Sequence, residues 1–352
     1  MIKVGFVTKS LTDGNAQRGV GFYAKRLLPK LKEFAKDFDI EIFEDKYTDV
    51  DIVHYPSFDL FYHTLPIFKK TKTVVTVHDV IPLEFPEVYK QGLKAKLNLY
   101  LQKIALSQVD AVLTDSFYSL KNIRMYLNIP HVKLKIVYLA ADEIFKPKKV
   151  TKKYNLPKEF VLYVGDVNYN KNIPGLIEAC KLAKLPLVMV GKQAAEISSL
   201  KSQIPMNITN PQNLIRKLFN IPHPQLAHLE LLEKLFKENN VIRLGFIPDE
   251  DLVDIYNLAS VYCQASFSEG FGLNPLEALA CETPVASSNS GSLPEVLGDN
   301  AIYFDPTDTK AISQAIMEAI RTPARNAFSI ADAGGWDKTA KETLQVYKSL
   351  CQ

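Results

Sequence analysis

Two carboxylates on either side of a glycine-rich turn are the strongest chemical feature of this sequence. Glu269 and Glu277 stand with seven residues between them in Ala265–Pro284, ASFSEGFGLNPLEALACETP. Val261-Tyr262-Cys263-Gln264 just before has the β-branched and aromatic character of a short buried strand, and Leu276, Leu279 and Ala280 recur at helical spacing afterwards. Strand, turn and helix is the order this predicts. Asn274 suits the cap and Pro275 the first turn, so backbone N–H groups within Leu273 to Leu276 would point at an anion such as phosphate. Asn274 and Glu277 also stand at capping-box spacing, so Glu277 reads equally as a cap and as a ligand. Glu269, crowded by Phe267, Phe271 and Leu273, needs a partner of its own.

The elements that must position these residues follow a β/α rhythm. Apolar runs at Ile2–Val7, Asp51–His54, Thr73–Val77, Ala111–Thr114 and Leu134–Tyr138 alternate with helical patterns, as in a parallel sheet covered by helices. Ligands of such sheets bind beyond the carboxyl ends of strands, which directs attention to His54, His78-Asp79 and Asp115-Ser116. Gly19-x-Gly21 follows the first strand and a polar loop, but the third glycine of a dinucleotide fingerprint is missing. Lys146–Lys153 is charged and aperiodic and reads as a linker. A second series runs through Phe160–Gly165, Leu187–Gly191, Val241–Ile247, Pro284–Ala286 and Ala301–Phe304. Between two of its strands, Ala194 to Asn240 is long, and Leu214, Ile215, Leu218, Leu226, Leu229, Leu232 and Leu235 suggest added helices. Trp336 precedes a last helix with Ala340, Leu344, Tyr347 and Leu350 on one face.

At 352 residues the chain is long enough for two domains, and 47% hydrophobic with 23% charged content is ordinary for a globular protein. Met1–Thr8 reads as a first strand and not as a signal peptide, which with the absence of a long apolar run sets cytoplasmic placement as the expectation. Cys180, Cys263, Cys281 and Cys351 show no paired metal spacing. His223 and His228 lack a nearby ligand set, and Asp37-Phe38-Asp39 and Asp49-Val50-Asp51 fall at strand edges, so no metal is expected. The net charge of +3 argues against nucleic acid as a partner, yet residues 1–150 hold 23 Lys and Arg against 17 Asp and Glu. Part of that excess is Lys90, Lys94, Lys96 and Lys103, around an apolar stripe of Leu93, Leu97, Tyr100, Leu101 and Ile104. An ordinary solvated helix face is favoured there over peripheral contact with the inner face of a membrane.

Glu269 and Glu277, with Gly270-Phe271-Gly272-Leu273 between them, resemble the Glu-x7-Glu signature of the family 4 glycosyltransferases. Thr283–Ala286 and Gly291–Glu295 resemble that family's next strand and loop. Gly19–Tyr23 is similar to its Gly-x-Gly-x-Tyr opening, and Val77–Pro82 with Pro86-Glu87 to its mannosyltransferase-like members. The resemblance covers nearly everything outside 194–240. It implies an α/β protein of GT-B fold, two Rossmann-like domains whose parallel sheets face an interdomain cleft. Residues 1–148 with a crossover helix at 337–352 would form the acceptor domain, and residues 149–336 the donor domain.

The resemblance also implies roles. Glu269, His78 and Lys171 would form the catalytic group: Glu269 on the donor sugar's hydroxyls, His78 facing that sugar, Lys171 on the diphosphate. Gly270, Phe271, Gly272 and Leu273 would hold sugar and phosphate, Glu277 the ribose, and the backbone near Phe246 and Ile247 the nucleobase. Gly19, Gly21, Asp115 and Ser116 complete the expected substrate contacts. One departure stands out: Asp166 follows Gly165 where relatives often carry Arg, and Asn170 precedes Lys171, so either Lys192 or the helix amides near Leu273 would take the place of the missing cation. The implied activity is retaining transfer of a hexose from a nucleotide-sugar, with GDP-mannose favoured, to a glycan or lipid-linked acceptor, without cofactor. The rivals are a non-catalytic sugar-nucleotide-binding protein of the same fold and a nicotinamide-dependent oxidoreductase.

Overall fold

The computed structural model describes residues 1–12, 19–152, 154–203, 223–238, 241–322 and 334–352. The chain divides into two compact units, one of Met1–Glu84, Gln91–Asp142 and Ile330–Gln352, the other of Phe85–Lys90 and Glu143–Ser329.

The first unit carries strands β1 (Ile2–Phe6), β2 (Ile40–Glu44), β3 (Ile52–Tyr55), β4 (Lys72–Thr76), β5 (Ala111–Thr114) and β6 (Leu134–Ile136). They form one parallel sheet in the order β2-β1-β3-β4-β5-β6. Every residue of β5 is buried, as expected of a parallel strand covered on both faces. The strand β2 was not among the expected apolar runs: two glutamates interrupt Ile40-Glu41-Ile42-Phe43-Glu44, which lies at the sheet edge beside β1. Its helices include α1 (Gly19–Phe34), α2 (Leu93–Ser107) and α3 (Phe117–Leu127). One core cluster gathers Val75, Val77, Leu106, Val112, Ile123 and Leu134.

The second unit carries β7 (Val161–Val164), β8 (Leu187–Val190), β9 (Val241–Gly245), β10 (Val261–Gln264), β11 (Val285–Ser288) and β12 (Ile302–Phe304). All pairs are parallel and the order is β12-β11-β10-β7-β8-β9. The strand sequence therefore reverses direction between β7 and β10, and the crevice beyond their carboxyl ends is where such sheets bind ligands. Its helices include α4 (Pro224–Glu238) and α5 (Leu273–Ala280). Within the long insertion, Leu229, Leu232 and Leu235 of α4 are buried as the helical spacing predicts, whereas Leu214, Ile215 and Leu218 lie outside the described residues. The expected linker is not slack. Lys148 Nζ stands 2.5 Å from Asp254 and Lys152 Nζ 2.6 Å from Asp251, both on the helix Asp249–Leu258.

The last helix, α6 (Gly335–Cys351), returns to the first unit and already includes Trp336. It buries Trp336, Ala340, Leu344 and Tyr347. The hydroxyl of Thr339 donates to the carbonyl of Tyr138 at 2.8 Å, and Lys30 pairs with Asp337 at 2.7 Å.

Candidate functional site

In the second unit the loops leaving β7, β10 and β11 converge on Glu269, which is only 6% exposed. Lys171 Nζ donates to both carboxylate oxygens at 2.7 Å. Gln264 Nε2 donates to Oε1 at 2.7 Å and the Ser266 hydroxyl does so at 2.6 Å. Donors thus surround the carboxylate, and each is fixed in turn: the amide oxygen of Gln264 accepts from the Tyr262 hydroxyl, and its nitrogen also reaches Ser266 at 2.7 Å. The backbone of Glu269 is held from the loop after β11, where the Ser292 hydroxyl donates to its carbonyl at 3.0 Å. Gly291 has φ +66°, and a Cβ there would lie 2.6 Å from the Glu269 nitrogen, so a side chain at 291 would push Glu269 off its place.

Lys171 is positioned by the loop after β7. Asn170, buried beside it, donates from Nδ2 to the Ser268 carbonyl at 3.1 Å, and its own carbonyl accepts from the Phe267 N–H at 2.7 Å. The Tyr89 hydroxyl donates to Asn170 Oδ1 at 3.0 Å. The far end of the loop is fixed by the insertion: His228 on α4 meets the Val167 carbonyl at 2.8 Å and stacks edge-on against Tyr169. Burial lowers the His228 pKa against the opposing pull of that carbonyl, which keeps the ring neutral with Nε2–H as donor.

The helix after the turn differs from expectation at its start. Helix α5 begins at Leu273, and its N-cap is Gly272 at φ +98°, with no side-chain cap. Asn274 is therefore the second helical residue and not the cap, and its Nδ2 is spent on the Val164 carbonyl at 2.6 Å. The capping-box reading of Asn274 fails, because the backbone reaches the helix through a left-handed glycine that no capping side chain could replace. The N–H groups of Leu273 and Asn274 remain at an uncapped positive helix end. Glu277, 5% exposed, accepts from the Tyr256 hydroxyl at 3.1 Å. Gly270 and Phe271 are buried. Lys192 is exposed at the start of the short helix Lys192–Ala195 after β8, and Phe246 and Ile247 lie just past the end of β9.

The first unit holds a separate polar cluster. His78, just beyond β4, places Nδ1 2.5 Å from Asp115 Oδ2, just beyond β5, and Nε2 3.3 Å from the Pro56 carbonyl. Both nitrogens face acceptors, which suits an imidazolium with two N–H donors. Burial alone would lower the His78 pKa, but the charge and hydrogen bond of Asp115, with Asp79 behind it, reverse the sign and raise it. Tyr23 on α1 packs edge-on to His78 at 4.7 Å between centroids. Beneath it, Thr76 Oγ1 links the Tyr23 hydroxyl at 3.1 Å to His54 Nε2 at 2.9 Å, and His54 Nδ1 meets the Tyr347 hydroxyl of α6 at 2.5 Å. Burial, aided by the neighbouring His78, pushes the His54 pKa down to about 3. Ser116 is fully buried and its hydroxyl oxygen accepts from the Ser119 N–H at 3.0 Å as the N-cap of α3. Gly19 opens α1, and Gly21, within its first turn, is buried.

Thus Glu269, Lys171 and the turn 270–273 come together at one sheet end, and His78 joins Asp115 at another. Sequence reasoning missed Gln264, Ser266, Asn170, Tyr89 and His228. A polar residue inside an otherwise buried strand, as at Gln264, was the available sign.

Comparison with known proteins agrees with this architecture. Residues 145–332 match the family described as glycosyl transferases group 1, and residues 14–143 match glycosyltransferase family 4. The O-antigen chain mannosyltransferase B of Escherichia coli is 29% identical over 79% of this chain and 71% of its own length. The serotype-specific mannosyltransferase WbdA of Escherichia coli is 28% identical over 80% of this chain, which spans about a third (34%) of that longer protein. Among solved structures, sucrose-phosphate synthase of Thermosynechococcus elongatus superposes with TM-score 0.65 at 19% identity, covering 100% of this chain and 99% of that one. HepE of Anabaena, in complex with UDP and glucose, superposes with TM-score 0.65 at 15% identity, covering all of both chains. Two parallel-sheet units and these likenesses make the fold GT-B, and the chain belongs to the family 4 glycosyltransferases.

Proposed function

We propose that this glycosyltransferase takes a hexose from a nucleotide-sugar, GDP-mannose above others, and transfers it with retention to a glycan or lipid-linked acceptor in surface polysaccharide synthesis. The observation that carries this reading is the buried Glu269 carboxylate, gripped by Lys171 next to an uncapped helix end. The mannosyl choice leans on O-antigen mannosyltransferases being among its relatives. Family membership removes the oxidoreductase reading, and a non-catalytic binder of the same fold is left as the rival.

Lys171 and Glu269 satisfy one another. A donor would exchange both partners, its diphosphate drawing Lys171 and the N–H groups of Leu273 and Asn274, its sugar hydroxyls donating to Glu269. The charge that gathers on the leaving diphosphate then meets preorganised donors, the principal source of acceleration in such transfers. Glu269 orients the sugar and is not a covalent nucleophile in this reading, and Gln264 and Ser266 keep hold of its Oε1 when Lys171 is drawn away. Glu277, one turn further along α5, is assigned to the ribose, and His78 with its Asp115 partner to the sugar. No metal or cofactor is invoked. An acceptor carried on lipid would be met at the inner face of a membrane.

The test is saturation binding and turnover across GDP- and UDP-sugars. GDP-mannose should bind at least about tenfold tighter than UDP-glucose, a difference of ~1.4 kcal/mol, and release of nucleoside diphosphate with an acceptor should follow. Equal affinity defeats the donor assignment, and binding without release of diphosphate favours the non-catalytic rival.

A further inference from the structure

Helix α2 carries large apolar residues on its outer side as well as on its inner one. The residues it buries include Gln102, Ala105 and Leu106, and Gln102 is 0% exposed. Its apolar stripe faces outward, with Leu93 82%, Leu97 58% and Tyr100 63% exposed. Leucine and lysine share this outer side, whereas an ordinary solvated face shows charge and hides leucine. Nor does the stripe result from a loose helix. Asn98 Nδ2 donates to the Phe61 carbonyl at 2.7 Å, and Gln102 Nε2 to the Asp59 carbonyl at 3.0 Å and the Thr64 hydroxyl at 2.5 Å. Lys69 Nζ reaches the Ala105 carbonyl at 2.5 Å. The segment so clamped along the helix shows two more large side chains to solvent, Tyr62 at 72% and Phe68 at 88%.

Charge selects among occupants for this face. Helix α2 contains Lys94, Lys96 and Lys103 and no Asp or Glu. At 100° per residue, Lys94 lies on one flank of the stripe and Lys96 and Lys103 on the other. None of the three pairs with a carboxylate among the described residues. A second copy of the chain docking through a two-fold axis would set this patch against itself and bring like charges together. An anionic bilayer suits it better: leucine and aromatic side chains enter the boundary between headgroups and acyl chains, while flanking lysines extend to lipid phosphates.

We propose that the outward stripe of α2, Leu93, Leu97 and Tyr100 with its flanking lysines, is a membrane-docking face for anionic lipid. The claim concerns attachment and does not depend on which sugar is transferred. Docking is by insertion of side chains into one leaflet and not by a span, and no helix among the described residues is long and apolar enough to cross a membrane.

The experiment is co-sedimentation of the full chain with vesicles of phosphatidylcholine alone and of phosphatidylcholine with about a third phosphatidylglycerol. Wild type should partition onto the anionic vesicles and hardly onto the neutral ones. A Leu93→Ser, Leu97→Ser, Tyr100→Ser variant and a Lys94→Glu, Lys96→Glu, Lys103→Glu variant should each lose at least about tenfold in partitioning. Nucleotide-sugar binding of both variants should stay as in wild type, which reports folding and keeps this test apart from that of the activity. Wild type that ignores anionic vesicles, or variants that still bind them, overturn the proposal. A dimer in lipid-free solution that the serine variant dissolves would instead give the face to a second copy and likewise overturn it.

Discussion

Each unit places an ion pair beyond the carboxyl ends of a parallel sheet, and the two pairs differ in what can open them. In both, the carboxylate is the deeper partner: the side chains of Asp115 and Glu269 are 4% and 8% exposed, against 17% for His78 and 21% for Lys171. A lysine keeps its charge through the neutral range, so a competing anion is needed to draw Lys171 away. A histidine can lose its charge to a modest rise in pH. The same geometry therefore yields a ligand-opened pair in one unit and a proton-opened pair in the other.

The largest effect is expected from breaking the ligand-opened pair. Lys171→Ala leaves a nearly buried carboxylate with Gln264 and Ser266 as its remaining side-chain donors, and should cost about 3 kcal/mol of stability in chemical denaturation, the low end for orphaning one partner of a buried pair. Adding Glu269→Gln should recover much of that loss. A cost under ~1 kcal/mol for Lys171→Ala would show the pair to be solvated and the proposed exchange on donor binding to be trivial.

The next effect lies beneath the proton-opened pair and has the opposite sign to it. His54 has a folded pKa of about 3, far below the unfolded value near 6.5. Between these values the unfolded chain binds a proton that the folded one refuses, so stability falls as pH drops below about 6.5, at up to ~1.4 kcal/mol per pH unit. Wild type should lose roughly 2 kcal/mol between pH 6.5 and 5 by this route, and His54→Gln should flatten that limb. An unchanged slope in the variant would remove His54 as the cause.

The smallest and sharpest effect is on His78 itself. Its pKa is raised in the fold, so its contribution is complete below the unfolded pKa and is lost as pH rises through the folded one. Asp115→Asn removes the charge that opposes burial, so the ring resonances should titrate at lower pH than in wild type. The alkaline loss of stability should vanish with it. A His78 titration that does not move would break the pairing of the two units.

Most strands were legible because parallel strands buried on both faces leave continuous apolar runs such as Ala111–Thr114. The edge strand Ile40–Glu44 was not, since its partly exposed side chains dilute that pattern. Glu269 and Glu277 stood out by spacing, but the shell around Glu269 did not: Lys171 reaches it across 98 positions of sequence, and no local pattern encodes that meeting. The cap was misread because Asn274 has the right chemistry two positions too late, and only the positive φ of Gly272 reveals where the helix starts. Periodicity found the stripe on α2 correctly but carries no information about which side of a helix the core lies on.

The return of α6 sets a timetable for synthesis. His54 and Tyr138, made early, take their Tyr347 and Thr339 partners from residues added 293 and 201 positions later. At about 5–20 residues per second, residues 1–142 wait on the order of 10–40 s for the helix that covers α1. For that interval the nascent first unit has a docking groove without its occupant, and the second unit, complete by residue 329, can fold to its end first. Order of synthesis and order of completion are therefore reversed in this chain, and holdase chaperones have their longest opportunity on the half that is made first.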